Sequence, residues 1–235
     1  MIKLQLSRRN FISISLAGLF LPACSSGLQR GNQQTLSLLE SEKSWLLKAK
    51  PPLDIVQYKL ENPDLKGVLR QKAKSFVPAQ DKYISRLEKI MRITLNHSGG
   101  VGLAAPQIGF SRQMILVEKQ NKTKEIICCL DPEIIHFSKE KVDGYEGCLS
   151  IKGYGGKVAR SKRVEVKYNT PEGNAIHYKT SGWEARIFQH EIDHLNGILY
   201  IDRLKGKLLP LEELRKIRAK ETAAAEIKHQ RLMLV

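Results

Sequence analysis

The amino-acid sequence predicts an α+β fold in which antiparallel β-sheets surround a central helix. Apolar residues at helical spacing occupy 81–96, and β-rich runs separated by short turns follow between residues 113 and 179. A second helical stretch, 182–195, comes directly after the last of these runs. A helix, several consecutive strands and another helix is the order typical of antiparallel sheets, whereas parallel sheets alternate strand and helix.

The first predicted helix, 81–96, has Asp81 placed to cap its N-terminus, and the glycines at 99 and 100 end it. Its apolar face is made by Ile84, Leu87, Ile90, Met91 and Leu95. The predicted strands are 113–118, 125–130, 133–142, 164–168 and 175–179. The first two of these form a hairpin, and a turn over 171–174 separates the last two.

The second predicted helix begins at Ser181 and Gly182 and ends at Leu195, where Asn196-Gly197 supplies the glycine common at helix C-termini. After Asp202 the chain becomes basic, and we predict a further helix over 211–234. We divide the chain into a leader 1–23, a tether 24–50, a compact domain 51–208 and a basic C-terminal helix in 209–235.

The totals indicate one domain with extensions. The chain has 235 residues, of which 42% are hydrophobic, and this is enough to form a substantial core. Its formal net charge is +15. No nucleic-acid-binding motif accompanies this charge, so we interpret it as a solvated basic surface, with no specific nucleic-acid partner. We expect a monomer.

The leader 1–23 has the order of an export signal. Ser7-Arg8-Arg9-Asn10-Phe11 resembles a twin-arginine motif, and an apolar stretch follows it. Leu21-Pro22-Ala23-Cys24 resembles a lipobox, in which the cysteine becomes lipidated. We therefore expect a protein exported to the periplasmic side of a bacterial membrane and anchored there through Cys24. The alternative is a short basic or buried N-terminal helix on a cytoplasmic protein.

The tether 24–50 is rich in polar residues, with a short helix possible near 38–47. Two interpretations of that helix stay open. It is either part of a flexible connection or a helix packed on the domain. Pro51-Pro52 marks the start of the compact part.

His190-Glu191-Ile192-Asp193-His194 has the pattern H-E-x-x-H on a predicted helix. Residues four apart share one face, so both imidazoles can reach one cation. Glu191 lies about 100° round the helix from His190, where its carboxylate can act on a metal-activated water. Taken alone, the motif also fits an ordinary helix with two exposed histidines.

A catalytic metal site requires three protein ligands and an open position. Tyr200 occupies the place where metzincin proteases have a third histidine, and Glu212 and Glu213 belong to a charged, solvated helix. Cys148 is the better candidate, because a thiolate and two imidazoles complete a tetrahedral site with room for water. On its own, Cys148 would be read as a buried structural cysteine.

The segment 100–107 is rich in glycine and alanine and contains no Gly-Lys-Ser/Thr phosphate-binding sequence. Gly100, Val101 and Gly102 allow a substrate backbone to approach closely. Gln107 offers a side-chain amide N–H to a developing oxyanion. As an isolated run, the segment would indicate only a tight turn.

Three segments together resemble the peptide deformylase family, which carries G-φ-G-φ-A-A-x-Q, then E-G-C-x-S, then Q-H-E-x-D-H, where φ is hydrophobic. All three are present in that order: Gly100-Val101-Gly102-Leu103-Ala104-Ala105-Pro106-Gln107, Glu146-Gly147-Cys148-Leu149-Ser150 and Gln189-His190-Glu191-Ile192-Asp193-His194. The resemblance extends over residues 57–204 and makes 51–208 the expected catalytic domain.

The resemblance implies a metal-dependent hydrolase that removes the N-formyl group from formyl-methionyl peptides and releases formate. Cys148, His190 and His194 are then the metal ligands, and Glu191 is the acid/base. Gln107 and the backbone N–H of Leu149 hold the oxyanion. Family members typically use Fe²⁺, but Zn²⁺, Ni²⁺ or Co²⁺ also suits these ligands, so the sequence does not choose among them.

Two residues depart from the family pattern. Lys152 and Gly155 stand where the family often has a proline and an arginine that helps bind the peptide backbone. Arg160 is a candidate substitute for that arginine. Two other functions stay open. The predicted export favours an exported metallohydrolase acting on other formylated or short peptides, because nascent chains are deformylated in the cytoplasm. The second is a catalytically silent, lipid-anchored binding module. A zinc endoprotease is opposed by Cys148 and by the missing third histidine.

Overall fold

A computed structural model of the protein describes residues 38–76 and 82–232, with side chains as far as residue 221. The predicted leader, Cys24 and the capping residue Asp81 lie outside these residues. The described helices and strands, in chain order, are α1 Glu40–Lys48, α2 Lys82–Ser98, β1 Gly102–Ala104, β2 Met114–Glu118, β3 Ile126–Phe137, β4 Lys141–Cys148, β5 Ile151–Ser161, β6 Arg163–Asn169, β7 Ala175–Ser181, α3 Gly182–Leu195, β8 Leu209–Pro210 and α4 Leu211–Leu232.

The strands form two antiparallel sheets. The larger has the order β1-β2-β3-β6-β7, and the smaller has the order β4-β5-β8. All six strand pairs of the described residues are antiparallel, and four of them join strands that are consecutive in the chain, which confirms the predicted α+β class with antiparallel sheets. Helix α3 packs against strands of both sheets, including β1 and β2 of the larger and β5 of the smaller.

One predicted strand, 133–142, is wrong because it joins parts of two strands. Strand β3 ends at Phe137 and β4 begins at Lys141. Asp131 in β3 has a positive φ of 47°, and the register with β6 shifts between Leu130 and Glu133, so β3 contains an irregularity of the bulge type. The β-rich run of the sequence therefore contains a turn that its composition does not mark.

The hydrophobic core has two principal parts that lie on either side of β2. Residues of one face of α2, among them Leu87, Met91 and Leu95, pack with Leu103 and Leu116 in the first part. The second part joins the other face of the larger sheet to α3. It includes Ile115, Val166, Ala185, Phe188 and Leu195. Alternating residues of β2 thus supply both parts, which fixes α3 against the sheet.

The described end of the predicted tether is a docked helix. Leu46 of α1 is fully buried in the core with Leu38, and the Arg86 side chain donates to the Leu46 carbonyl. Arg112 is almost completely buried, and its guanidinium donates to the Glu42 carboxylate at 2.7 and 2.8 Å. Because a buried guanidinium needs a carboxylate partner, this pair holds α1 on the domain. Of the two interpretations left open, the structure shows the packed helix; residues 24–37 lie outside the described part.

The C-terminal helix begins at Leu211, as predicted, directly after the short strand β8, which the sequence did not indicate. Its first turns pack on the smaller sheet: a Cβ on Gly155 would lie 2.7 Å from Leu214 Cδ2. None of the helices in the described residues is both long and apolar enough to cross a bilayer.

Candidate active site

The end of β4 and one side of α3, which are distant in sequence, meet in the structure. Cys148 ends β4, and His190 and His194 project from one side of α3 with their ring centroids 5.0 Å apart. One ligand atom from each of these residues lies within 4.8 Å of the others. The Cys148 Sγ atom is 3.2 Å from His194 Nε2. The structure therefore brings together the three side chains that the sequence predicts as ligands.

This group of side chains fits a divalent cation. One thiolate and two imidazoles are donors suited to zinc or iron. Burial lowers the pKa of His194 well below its ordinary value, which keeps the imidazole in the neutral form that binds metals. His194 Nδ1 is buried and has no hydrogen-bond partner among the described residues. Cys148, His190 and His194 thus form a candidate metal site.

Glu146 fixes the orientation of the His190 ring through a hydrogen bond. His190 Nδ1 lies 3.0 Å from Glu146 Oε2, so an ionised carboxylate there accepts the Nδ1 hydrogen and leaves Nε2 for a cation. Burial alone would raise the pKa of Glu146, but hydrogen bonds from Arg160 and His190 outweigh it and hold that pKa well below its usual range. The Glu146 carboxylate is therefore an anion at neutral pH.

Two arginines neutralise Glu146. Arg160 donates to both Glu146 oxygens at 2.9 Å, and Arg186 Nη1 donates to Oε1 at 2.7 Å. Both guanidiniums are almost completely buried, and Arg160 also donates to Asp193. The suggestion that Arg160 replaces the family's peptide-binding arginine is wrong, because its guanidinium is enclosed by carboxylates and does not line the cleft that contains Glu191. Arg160 supports the site structurally.

Glu191 is buried beside this group with one oxygen free. Its side chain is 4% exposed, and Oε2 has no hydrogen-bond partner among the described residues. Burial raises the pKa of Glu191 to about 7. A Cβ on Gly102 would lie 2.5 Å from Glu191 Oε1, so the glycine is what leaves room for this carboxylate. Glu191 is placed to exchange a proton with a molecule in the site.

Gln107 presents its amide nitrogen to the same site. Its Oε1 accepts a hydrogen bond from the Ala104 backbone N–H at 2.8 Å, which fixes which end of the amide faces the cysteine. Its Nε2 then lies 3.5 Å from Cys148 Sγ and 3.3 Å from Ser150 Oγ. The donor is therefore held ready for an oxyanion that forms near the metal ligands.

A cleft of about 300 Å³ opens onto these groups. It is lined by Gly100, Val101, Gly102, Gln107, Glu146, Gly147, Cys148, Leu149, Trp183, Arg186, Ile187, His190 and Glu191. The predicted substrate-binding residues and Leu149 thus all line this cleft. A larger cleft of about 690 Å³ contains none of the candidate metal ligands or Glu191, and we regard it as unrelated to the chemistry.

The sequence reasoning missed Trp183, Arg186 and Ile187 as parts of the site. Arg186 and Trp183 lie four and seven residues before His190, so helical spacing alone would have placed them on its side of α3. The role of Glu146 was also missed, since hydrogen bonds between β4 and α3 depend on tertiary structure. The sequence did show that Gly155 departs from the family pattern. In the structure, Leu214 packs where the Cβ atom of a larger residue at position 155 would lie.

Comparison with known proteins agrees with this geometry. The sequence model of the polypeptide deformylase family matches residues 52–208. A peptide deformylase of Desulforudis audaxviator is 43% identical over 149 residues, which cover 63% of this chain and 91% of that protein. One from Picosynechococcus is 37% identical over 151 residues, covering 63% of this chain and 80% of that protein.

Solved structures of the family are also similar. The actinonin-bound class I type b peptide deformylase of Acinetobacter baumannii superposes with a TM-score of 0.59 at 34% identity, covering 65% of this chain and 98% of that one. The peptide deformylase of Thermotoga maritima gives a TM-score of 0.59 at 36% identity, covering 66% and 99%. Because the family match spans more than half of the sequence, the chain belongs to the polypeptide deformylase family and is an enzyme of that class, a metal-dependent amide hydrolase.

Proposed function

We propose that this chain hydrolyses the N-formyl group of formyl-methionyl peptides, with Cys148, His190 and His194 as metal ligands and α3 as the central element of the site. The proposal rests on one observation: the group of metal ligands lies together with Glu191 and Gln107 at one apolar cleft. A relative from Acinetobacter baumannii has been solved with Met-Ala-Ser bound, which is the product expected from formyl-Met-Ala-Ser.

The cleft positions the substrate before any bond changes. The methionine side chain enters the apolar part of the cleft, between Leu149 and Ile187, and the glycines at 100 and 102 let the peptide backbone lie close to the wall. The formyl oxygen then faces Gln107 Nε2 and the backbone N–H of Leu149. These donors stabilise the negative charge that develops on that oxygen.

Cys148, His190 and His194 would hold a divalent cation, which would supply Lewis acidity toward water and the formyl carbonyl. Glu191 takes a proton from the attacking water as its oxygen bonds to the formyl carbon. When the carbon–nitrogen bond breaks, Glu191 returns the proton to the departing amine. The products are formate and a peptide with a free amino terminus, and Glu191 ends the cycle as the carboxylate that began it.

We propose Fe²⁺ as the native metal, with Zn²⁺, Ni²⁺ or Co²⁺ as functional replacements, because thiolate and imidazole ligands accept all four. The hydrogen bond between His190 Nδ1 and Glu146 supports metal binding, because it leaves Nε2 of His190 available to bind the cation. The enzyme needs no second subunit to complete the described site, and we propose that it acts as a monomer.

The direct test is formate release from formyl-Met-Ala-Ser by the chain loaded with Ni²⁺ or Fe²⁺. We expect metal-dependent release that a chelator abolishes and added metal restores. An enzyme that binds one metal ion and cleaves no formylated peptide would instead support the catalytically silent binding module. The three metal ligands, Glu191 and Gln107 are all present. We therefore do not prefer that module, or a hydrolase for unrelated peptides, over the deformylase.

Gly102 provides a test of the Glu191 geometry. We expect Gly102→Ala to lower kcat by roughly tenfold to a hundredfold, because the new methyl group displaces the flexible end of Glu191 and small displacements of a catalytic group are costly. Metal content, measured by atomic absorption, should not change. A kcat equal to that of the unmodified enzyme would show that the position of this carboxylate does not limit the reaction.

We also propose that the protein is exported and anchored to the membrane through lipidated Cys24, on the basis of the twin-arginine and lipobox-like sequences. The twin-arginine route carries folded proteins, so metal could be bound before export. We expect the unmodified protein in the membrane fraction and Cys24→Ala in the soluble fraction. If both remained in the cytoplasm, the export proposal would be wrong.

A further inference from the structure

Strand β4 leads from the catalytic cleft to a second cleft. Within the described residues β4 is an edge strand, since it pairs with β5 on one side and with no strand on the other. Its C-terminal end, Glu146 to Cys148, lines the catalytic cleft, and its earlier residues, Val142 to Tyr145, line a second cleft of about 430 Å³. Trp183 and Arg186 line both clefts, so the two clefts adjoin each other along β4.

The second cleft is basic, and one of its cations is available. Its charged lining residues are Asp143, Arg160, Lys162, Arg186 and Arg218. Asp143 accepts from Lys205, Lys162 donates to Glu140, and the other two arginines bind Glu146. Arg218 alone among them has no hydrogen bond or ion pair within the described part of the chain. Its guanidinium is therefore free to bind an anionic group.

The C-terminal helix holds Arg218 over β4. Leu211, Leu214, Arg218 and Glu221 are spaced three, four and three residues apart, so they lie on one face of α4. Leu214 is buried against Gly155, and Glu221 accepts a hydrogen bond from the Tyr145 hydroxyl at 2.9 Å. Arg218 lies between these two contacts and so faces the smaller sheet.

We propose that the substrate chain beyond the formyl-methionine follows the free edge of β4 into the second cleft, where Arg218 selects acidic residues. The proposal rests on the proposed function, which places the formyl group at Cys148. An extended peptide advances about 3.3 Å per residue, at the same rate as the strand beside it. Its third to sixth residues therefore reach Val142 to Tyr145. Adding a strand to an exposed sheet edge is a common mode of peptide binding.

The test uses the full chain with Ni²⁺ and two pentapeptides, formyl-Met-Ala-Ser-Asp-Asp and formyl-Met-Ala-Ser-Lys-Lys. We expect kcat/KM to be about fivefold higher for the acidic peptide, the scale of a solvent-accessible ion pair. Arg218→Glu should reverse that preference. The ratio of the two rates for one enzyme preparation does not depend on how much of it is folded. The preference should weaken as salt is added.

Arg215→Glu is the matched control, because it makes the same charge change on α4 at a largely exposed side chain outside the second cleft. We expect it to keep the preference of the unmodified enzyme. Equal rates on both pentapeptides, or an equal change in Arg215→Glu, would contradict the proposal. If no formate were released, only the proposed function would be overturned. The second cleft can then still be tested by calorimetry, which measures the affinities of the deformylated peptides Met-Ala-Ser-Asp-Asp and Met-Ala-Ser-Lys-Lys.

Discussion

Replacing Glu191 by glutamine is expected to lower kcat by about a hundredfold to ten thousandfold while the metal content stays the same. Glutamine has the shape of glutamate and fits the same buried space beside Gly102. It cannot take a proton from water or return one to the leaving amine. The loss should therefore appear in kcat, measured by formate release from formyl-Met-Ala-Ser, with little change in peptide affinity.

Glu184→Gln is the matched control for this variant. Glu184 is also a buried glutamate of α3, but its carboxylate accepts hydrogen bonds from Tyr178, Thr180 and the Gln120 backbone, outside the catalytic cleft. We expect it to retain activity. If Glu191→Gln stayed within tenfold of the unmodified enzyme, the proton would have to travel through another group, and the assignment of Glu191 would fail.

Local patterns predicted the helices well because each has an apolar face with the helical period. Helix α2 was expected over 81–96 and occupies Lys82–Ser98, and α3 was expected from Gly182 to Leu195 and has those bounds. The positions of His190, Glu191 and His194 follow from that single helix. The sequence also predicted Cys148 as the third ligand, which needed knowledge of the family rather than periodicity.

The second sheet was poorly predicted because its strands lack a strong local signal. Strand β5 contains Gly153, Gly155 and Gly156, and glycine is depleted in strands. Two of these glycines pack against Leu214 and Leu204, which come later in the chain. Their presence is therefore explained by tertiary contacts. The same holds for Glu146, whose hydrogen-bond partners Arg160, Arg186 and His190 belong to β5 and α3.

Replacing Cys148 by alanine is expected to weaken metal binding by more than about a hundredfold. Loss of a residue that only supports a ligand already costs about tenfold to a hundredfold, and here the ligand itself is removed. Two imidazoles remain, of which His190 is still oriented by Glu146. The affinity can be measured by competition with a chromogenic chelator, and activity at limiting metal should fall with it.

Cys128→Ala separates the role of the ligand from a general effect of removing a thiol. Cys128 is buried in the apolar core, and burial raises the pKa of its thiol well above the ordinary value, so it does not supply a thiolate. We expect this variant to bind metal as the unmodified chain does. Undiminished affinity in Cys148→Ala would mean that another group completes the site. Cys148 Sγ lies 3.2 Å from His194 Nε2 and belongs to the group that can hold a metal ion. The other cysteines of the described residues, Cys128 and Cys129, are buried in β3 outside that group, so neither is placed to act as the third ligand.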